Sequence, residues 1–173
     1  ILLSMFFGIT KAENIILFGE QSRYRDKVIF SEQSKYQKIV ITQWKDHYWL
    51  YLNGNQQLST LDEDKYHEAL VHPAVALSGS VKDVLVLGGG DGCAARELLK
   101  YPEIETITVV DLDSMMTGLA KRHPVLTELN DSAFHHPRVD VQNADAFNWL
   151  EASKQLFDVI IVDLPDPRSV ELN

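Results

Sequence analysis

Aspartate side chains directly follow four short apolar segments in the second half of this sequence. They are Asp91 after the first segment, Asp111 and Asp113 after the second, Asp145 after the third, and Asp163 and Asp166 after the fourth. In open α/β sheets the ligand lies beyond the carboxyl ends of the strands, so residues in these places are the first candidates for a site. A group of carboxylates there attracts a cationic ligand, such as a sulfonium or an amine, and one carboxylate is able to accept a proton.

A glycine-rich turn marks the first of these four places. The apolar run Val84–Leu87 continues into GGGDG at 88–92, which predicts a strand, a tight turn and the beginning of a helix. The glycines permit close approach of a ligand to the backbone, and we expect Gly88 and Gly90 to border a nucleoside. Asp91 stands where dinucleotide-binding folds receive a pyrophosphate, and like charges there would repel. The turn therefore favours a cationic nucleoside, the alternative being a structural turn without a ligand.

The remaining acids differ in the roles that their surroundings suggest. Asp111 lies about twenty residues after the glycines, where a carboxylate usually accepts hydrogen bonds from ribose hydroxyls. The segment NADA at 143–146 follows the third apolar run, and Asp145 is either an adenine contact or a plain N-cap. Asp163 and Asp166 lie in a segment stiffened by two prolines, which favours a chemical site over a turn with incidental acids.

Strand and helix patterns alternate through the second half of the chain. The predicted strands are Val84–Leu87, Ile107–Val110, Val139–Gln142 and Val159–Val162, and the helices between them are Cys93–Lys100, Ser114–Arg122 and Ala144–Ala152. Alternation of this kind predicts an α/β fold with a doubly wound parallel sheet and right-handed crossovers. A further helix is predicted over Asp62–Leu77, with Pro73 inside it as a possible kink or restart.

A small antiparallel sheet is predicted before this region. Three runs rich in β-branched and aromatic residues, Val28–Phe30, Tyr36–Gln43 and Tyr48–Leu52, precede the hairpin turn Asn53–Asn55. We therefore predict an apolar N-terminus and linking helix over 1–26, a β-hairpin domain over 27–60, and a nucleoside-binding domain with four strands over 61–173.

Composition narrows the ligand class. The net charge is −9, and residues 81–173 hold 16 acidic against 8 basic side chains. This imbalance disfavours nucleic acid and attracts a cationic substrate, although surplus acid also serves solubility. Cys93 is the single cysteine, which excludes an internal disulfide, and the six histidines show no spacing typical of metal ligands, so we predict no metal.

Seven motifs in order give the sequence a family resemblance. They are YQKIV at 36–40, LYLNG at 50–54, YHEALVHP at 66–73, GGGDG at 88–92, VVDLD at 109–113, NADAF at 143–147 and DVIIVDLPDP at 158–167. The combination resembles the spermidine synthases, polyamine aminopropyltransferases. The resemblance implies a class I methyltransferase-like Rossmann fold preceded by a small antiparallel β domain. It also implies transfer of an aminopropyl group from decarboxylated S-adenosylmethionine to putrescine, which gives spermidine and methylthioadenosine without a permanently bound cofactor.

The resemblance also implies roles for single residues in binding the aminopropyl donor. Gln37 and Asp91 would contact the nucleoside donor, with Asp91 on the amine of the aminopropyl arm. Asp111 would hold the ribose, and Asp145 with Ala146 would hold the adenine.

On the acceptor side, Tyr66 and Asp163 would lie beside the attacking amine, and Asp163 would be the general base. His67 would occupy a donor-site position among the substrate-binding residues, and Asp166 would bind the diamine.

The chain departs from the usual family pattern in ways that suggest a subgroup. Leu164 and Pro165 stand where small hydroxyl residues are usual. This form more closely resembles spermidine synthase-like proteins whose soluble domain follows a block of membrane helices, and Ile1–Gly8 would then end the last such helix. The expected location is a cytoplasmic domain of an inner or plasma membrane protein, with a cytoplasmic protein as the alternative, and a homodimer is a possible assembly. Relative to the family, the sheet is incomplete after Asn173.

Two other functions remain open on the sequence. One is an S-adenosylmethionine-dependent methyltransferase, which shares the glycine-rich turn and Asp111 but seldom has acids at both Asp91 and Asp163. The other is a catalytically inactive domain that binds a nucleoside or a polyamine.

Overall fold

The computed structural model describes residues 19–164, which fall into two compact units that divide between Glu63 and Asp64. The first unit is an antiparallel sheet of four strands in sequential order, β1 (Lys27–Gln33), β2 (Lys38–Trp44), β3 (His47–Leu52) and β4 (Asn55–Ser59). Most of the predicted linking helix lies outside the described residues, as does Ile1–Gly8.

Strand β4 is the element of the first unit that the hydrophobic pattern did not predict. Asn53 and Gly54 adopt φ angles of 51° and 78°, which form a tight turn after β3 and return the chain as β4. Within β4, Gln56 and Gln57 are exposed, and Leu58 is its one large apolar side chain. Turn geometry rather than apolar alternation therefore creates this strand.

The second unit alternates helices and strands around a parallel sheet. Its elements are α1 (Glu63–Leu77), β5 (Asp83–Gly88), α2 (Cys93–Leu99), β6 (Thr106–Asp111), α3 (Ser114–Arg122), α4 (Pro124–Leu129), a 3-10 turn (Ala133–His135), β7 (Val139–Asn143), α5 (Ala146–Ala152) and β8 (Val159–Asp163). The strand order is β7-β6-β5-β8 and all neighbours are parallel, which confirms the predicted α/β sheet. Because the chain moves first to one side of β5 and later to the other, the topological switch point lies between β5 and β8.

Helices cover both faces of the sheet, as a doubly wound fold requires. On one face, Val84 and Val86 of β5 are buried in a core to which α1 and α2 also contribute. On the other face, Leu85 and Leu87 are buried against side chains that include Trp149 of α5. The apolar run that predicted β5 therefore reflects burial on two sides.

Helix α1 begins at Glu63 and α2 ends at Leu99, each one residue inside its predicted bounds, and two larger differences concern α5 and α4. Helix α5 begins at Ala146 rather than Ala144, because Asp145 is its N-cap. Helix α4 was not predicted, since it is short and begins with Pro124 directly after α3. Pro73 lies within α1 without ending it. None of the helices within 19–164 has the combined length and apolarity needed to cross a membrane.

Candidate functional site

Strands β5 and β8 flank the switch point and end together at the C-terminal edge of the sheet. Gly88 and Asp163, the last residues of the two strands, are paired in register, and the Gly89 N–H donates a hydrogen bond to the Asp163 carbonyl at 3.1 Å. Gly88 has a φ of +82°, and a Cβ built on it would collide with that carbonyl. A residue without a side chain is therefore required where β8 delivers Asp163 to the glycine-rich turn.

Asp163 carries a hydrogen bond that orients its carboxylate. The hydroxyl of Tyr66 on α1 donates to Asp163 Oδ1 at 2.8 Å, so Oδ2 remains as an acceptor. Burial raises the pKa of Asp163, and the negative charge of Asp91 raises it further, while the Tyr66 hydrogen bond and His67 act in the opposite direction. The carboxylate is thus a better proton acceptor than an aspartate in water.

Asp91 lies directly after the glycines and opposite a buried histidine. Its Oδ1 accepts a hydrogen bond from the Cys93 N–H at 2.8 Å, which fixes the carboxylate over the first turn of α2. His67 is 1% exposed, and its Nε2 lies 4.0 Å from the same oxygen. Cys93 is buried.

Asp111, at the end of β6, is the third carboxylate of the group. Its Oδ1 accepts a hydrogen bond from the Asp113 N–H at 2.8 Å. A Cβ at Gly90 would stand 2.5 Å from Asp111 Oδ2, so the absence of a side chain there leaves room for the carboxylate. Burial raises the pKa of Asp111 to about 6, and the charges of Asp113 and Asp91 add to this effect.

The structure therefore connects most of the predicted site residues of the second unit. This group consists of Gly88, Gly90, Asp91, Asp111, Asp163, Tyr66 and His67, joined by the contacts above, and we refer to it as the acidic site. It lies at the C-terminal edge of the parallel sheet, where ligands of doubly wound folds bind. Arranged in this way, its carboxylates attract cations and one of them accepts a proton.

Asp145, Gln37 and Asp166 are the remaining predicted site positions outside this group of contacts. Asp145 accepts a hydrogen bond from the Asn148 N–H at 2.9 Å and begins α5 together with Ala146, so its N-cap role is confirmed and an adenine contact stays a prediction. Gln37 belongs to the first unit, where its N–H donates to Ser34 Oγ at 2.9 Å. Asp166 lies outside the described residues.

Sequence reasoning missed Asn130, which reaches the site from the end of α4. Its Nδ2 donates to the Asp91 carbonyl at 2.8 Å. No motif or spacing links two residues this far apart in the chain, so only the folded arrangement reveals the contact.

A second polar cluster lies between α1 and α2. The potential ligand atoms of Glu68, His72 and Glu97 lie within 4.8 Å of one another, which is compact enough for a metal ion. Lys100 Nζ already lies 2.6 Å from Glu97 Oε2 and 3.9 Å from Glu68 Oε1. An ammonium group therefore supplies the positive charge that a metal ion would bring to these carboxylates.

Comparison with known protein sequences identifies relatives over nearly the whole chain. Residues 63–173 match the sequence profile of the spermine/spermidine synthase domain. A polyamine aminopropyltransferase of Leptospira interrogans is 46% identical over 172 residues, which are 99% of this chain and 34% of that protein. A polyamine aminopropyltransferase of Oceanobacillus iheyensis is 46% identical over 173 residues, 100% of this chain and 33% of that protein. The chain thus spans about a third of the length of these relatives.

Solved structures show the same likeness in three dimensions. A crystal structure of spermidine synthase in complex with the transition state analogue AdoDATO superposes with a TM-score of 0.77 and 34% identity, covering 82% of this chain and 48% of that one. Spermidine synthase from Thermotoga maritima gives a TM-score of 0.75 with 34% identity, covering 81% and 47%. These matches confirm the predicted methyltransferase-like α/β fold preceded by an antiparallel sheet.

Proposed function

This chain belongs to the spermine/spermidine synthase family, and we propose that the protein containing it is an aminopropyltransferase. It transfers the aminopropyl group of decarboxylated S-adenosylmethionine to putrescine, which gives spermidine and methylthioadenosine. The observation that carries this proposal is that Asp163, within the acidic site, is a carboxylate with raised pKa whose orientation is set by a hydrogen bond from Tyr66.

Asp163 acts as the general base of the transfer. An alkyl amine has a pKa near that of lysine, about 10.4, so putrescine is mostly protonated at neutral pH and cannot attack until a proton leaves. Asp163 Oδ2 accepts that proton while Oδ1 stays bonded to the Tyr66 hydroxyl. The freed amine nitrogen forms a bond to the aminopropyl carbon, and the bond from this carbon to the sulfonium breaks. The electron pair of the broken bond stays on sulfur, which leaves as the neutral thioether of methylthioadenosine.

The remaining acids bind the donor in this proposal. Asp91 pairs with the amine of the aminopropyl arm, and Asp111 accepts hydrogen bonds from the ribose hydroxyls. Because Gly88 and Gly90 lack side chains, the backbone approaches the nucleoside closely. Asp145 and Ala146 contact the adenine.

Three residues complete the proposed binding sites. Gln37 contacts the donor, His67 lies at a donor-site position beside Asp91, and Asp166 binds the distal amine of putrescine. For His67, the support is its burial and its 4.0 Å distance from the Asp91 carboxylate.

Charge also explains why the donor must be decarboxylated. Ordinary S-adenosylmethionine carries a carboxylate next to its amine, and this group would approach Asp91 and Asp163. The two aspartates lie close enough for the charge of Asp91 to raise the pKa of Asp163, and they would repel a third negative charge. The same repulsion argues against the methyltransferase alternative.

We further propose that the full-length protein is a homodimer with N-terminal membrane helices and that this domain faces the cytoplasm. The resemblance of the sequence to membrane-fused relatives supports the membrane attachment. Sedimentation of the detergent-solubilised protein and protease protection in vesicles test it. A monomer, or a domain on the other side of the membrane, would contradict it.

The decisive test uses the full-length protein with decarboxylated S-adenosylmethionine and putrescine. We expect stoichiometric spermidine and methylthioadenosine, detected by chromatography. In a parallel reaction with ordinary S-adenosylmethionine we expect no turnover. The proposal fails if neither product forms, or if ordinary S-adenosylmethionine is consumed to give S-adenosylhomocysteine.

A further inference from the structure

A buried asparagine ties the glycine-rich turn to α3. Asn130 is 0% exposed, and its Nδ2 donates hydrogen bonds to the carbonyl oxygens of Asp91 at 2.8 Å and Ala120 at 3.0 Å. Both neighbours are acceptors without a proton to give, so the amide nitrogen faces them and the amide oxygen faces away. The side chain therefore bridges the two backbone segments.

The contact is closely packed on the side of the turn. Gly92 has a φ of +86°, and a Cβ built there would stand 2.9 Å from Asn130 Nδ2. Asn130 Oδ1 is buried and has no hydrogen-bond partner within residues 19–164. Since an unpaired buried amide oxygen opposes folding, the two bonds made by Nδ2 are the polar interactions that favour an amide here.

We propose that Asn130 is a positioning residue that sets the direction of the Asp91 carboxylate, an inference that rests on the proposed function. Asp91 Oδ1 accepts from the Cys93 N–H, so the direction of the carboxylate follows the peptide planes between residues 91 and 93. Asn130 holds the first of these planes, because its Nδ2 donates to the main-chain carbonyl oxygen of Asp91. Without that bond the plane rotates, and the carboxylate loses its alignment with the amine of the donor.

Two ligands separate this role from general support of the fold. Decarboxylated S-adenosylmethionine carries the sulfonium and the amine that Asp91 recognises in the proposed function, whereas methylthioadenosine carries the same nucleoside without either charge. A residue that acts through the Asp91 carboxylate affects binding of the first ligand and leaves binding of the second nearly unchanged.

The test is calorimetric titration of both ligands into the full-length protein and its Asn130→Asp variant. This substitution keeps the shape of the side chain and replaces the donor with an acceptor that repels both carbonyls. We expect the Kd for decarboxylated S-adenosylmethionine to rise about tenfold and that for methylthioadenosine to change less than about twofold.

A matched control lies on the same helix. Thr127 Oγ1 donates to the His123 and Pro124 carbonyls at 3.0 Å, and Thr127→Ala removes these bonds without reaching the turn. We expect both affinities to stay unchanged in this variant.

Thermal unfolding identifies any variant that does not fold. If Asn130→Asp does not fold, Asn130→Ser replaces it in the titrations, and we expect the same selective loss of affinity for decarboxylated S-adenosylmethionine. An equal loss of affinity for both ligands, or no loss, overturns the inference. The unsubstituted protein is titrated first, and if it does not bind decarboxylated S-adenosylmethionine, the proposed function fails rather than the role of Asn130.

Discussion

The pKa of an aspartate is shifted in opposite directions at the two edges of the parallel sheet. At the N-terminal edge, Asp158 precedes β8 and accepts hydrogen bonds from the Lys82 and Asp83 N–H groups at 2.7 Å and 3.0 Å, which lower its pKa. At the C-terminal edge, Asp163 ends the same strand, and burial raises its pKa. The carboxylate before β8 therefore stabilises the fold, and the carboxylate at the end of β8 opposes it.

The difference lies in what each edge offers to a negative charge. Lys82 at the N-terminal edge also pairs with Glu105. The acids of this edge therefore lie beside a cation and backbone N–H donors. At the C-terminal edge, burial and the charge of Asp91 raise the pKa of Asp111. The comparison shows that ionised carboxylates are unfavourable at the C-terminal edge, where a cationic ligand would stabilise them. At the N-terminal edge the carboxylates are already stabilised by the protein.

The largest expected effect is the loss of turnover in Asp163→Asn. Without a proton acceptor the acceptor amine stays protonated, and we expect kcat to fall about 10²- to 10⁴-fold. Steady-state kinetics with decarboxylated S-adenosylmethionine and putrescine measure it. Asp140→Asn, which neutralises an exposed acid on β7, is the control with unchanged kcat. Full activity in Asp163→Asn would show that the C-terminal edge has another base.

The next effect is on stability, in Asp111→Asn. The pKa of Asp111 is raised from 3.8 to about 6, so folding favours its protonated form. Its contribution to the free energy of unfolding is fully present below pH 3.8 and is lost as the pH rises through 6. At neutral pH this loss amounts to about 3 kcal/mol, so the neutral amide should stabilise the ligand-free protein by about 1–3 kcal/mol.

Urea unfolding of Asp111→Asn and the unsubstituted protein over a range of pH measures this difference. The two unfolding free energies should converge as the pH falls below 4. A variant that is less stable at neutral pH would contradict the view that this edge stores unfavourable charge.

A smaller effect is expected in Tyr66→Phe. Loss of the hydroxyl removes a hydrogen bond that lowers the pKa of Asp163, so the acidic limb of the kcat/KM profile should move to higher pH. One hydrogen bond to a charged group accounts for a decrease of about tenfold in kcat/KM. Tyr101→Phe removes a hydroxyl bonded to His72 between α1 and α2, and its profile should match that of the unsubstituted protein. An unshifted limb in Tyr66→Phe would separate Asp163 from the ionisation that controls turnover.

The smallest effect is expected at the N-terminal edge, in Asp158→Asn. Its pKa is lowered, so its contribution to stability is present above its ordinary pKa and is lost as the pH falls. The carboxylate is exposed to solvent, and we expect a slight decrease in Tm at neutral pH with unchanged kinetics. A rise in Tm, as expected for Asp111→Asn, would erase the contrast between the two edges.

Much of the second unit could be predicted because its strands are continuous apolar runs. In β5 the run follows from burial on both faces, whereas β8 keeps an apolar run although Ile160 and Val162 are exposed. The acids after these strands collect at one edge because parallel strands end together. Strand β4 and helix α4 could not be predicted in the same way, since a tight turn and a proline define them more than apolar periodicity. Asn130 was out of reach for another reason: its bond to Asp91 exists only after α4 has packed beside the turn.

Because β6 and β8 end in buried aspartates, binding of a cationic ligand exchanges protons on these carboxyls for the positive charge of the ligand. Carboxyls with raised pKa values, Asp111 and Asp163, retain protons into a pH range where ordinary aspartates have lost them. A sulfonium with an ammonium group nearby favours the ionised carboxylates, so its arrival releases those protons to the solvent. Under the proposed function, a low pH of the surrounding medium thus competes with the aminopropyl donor, and the hydrogen ion becomes an inhibitor of the site.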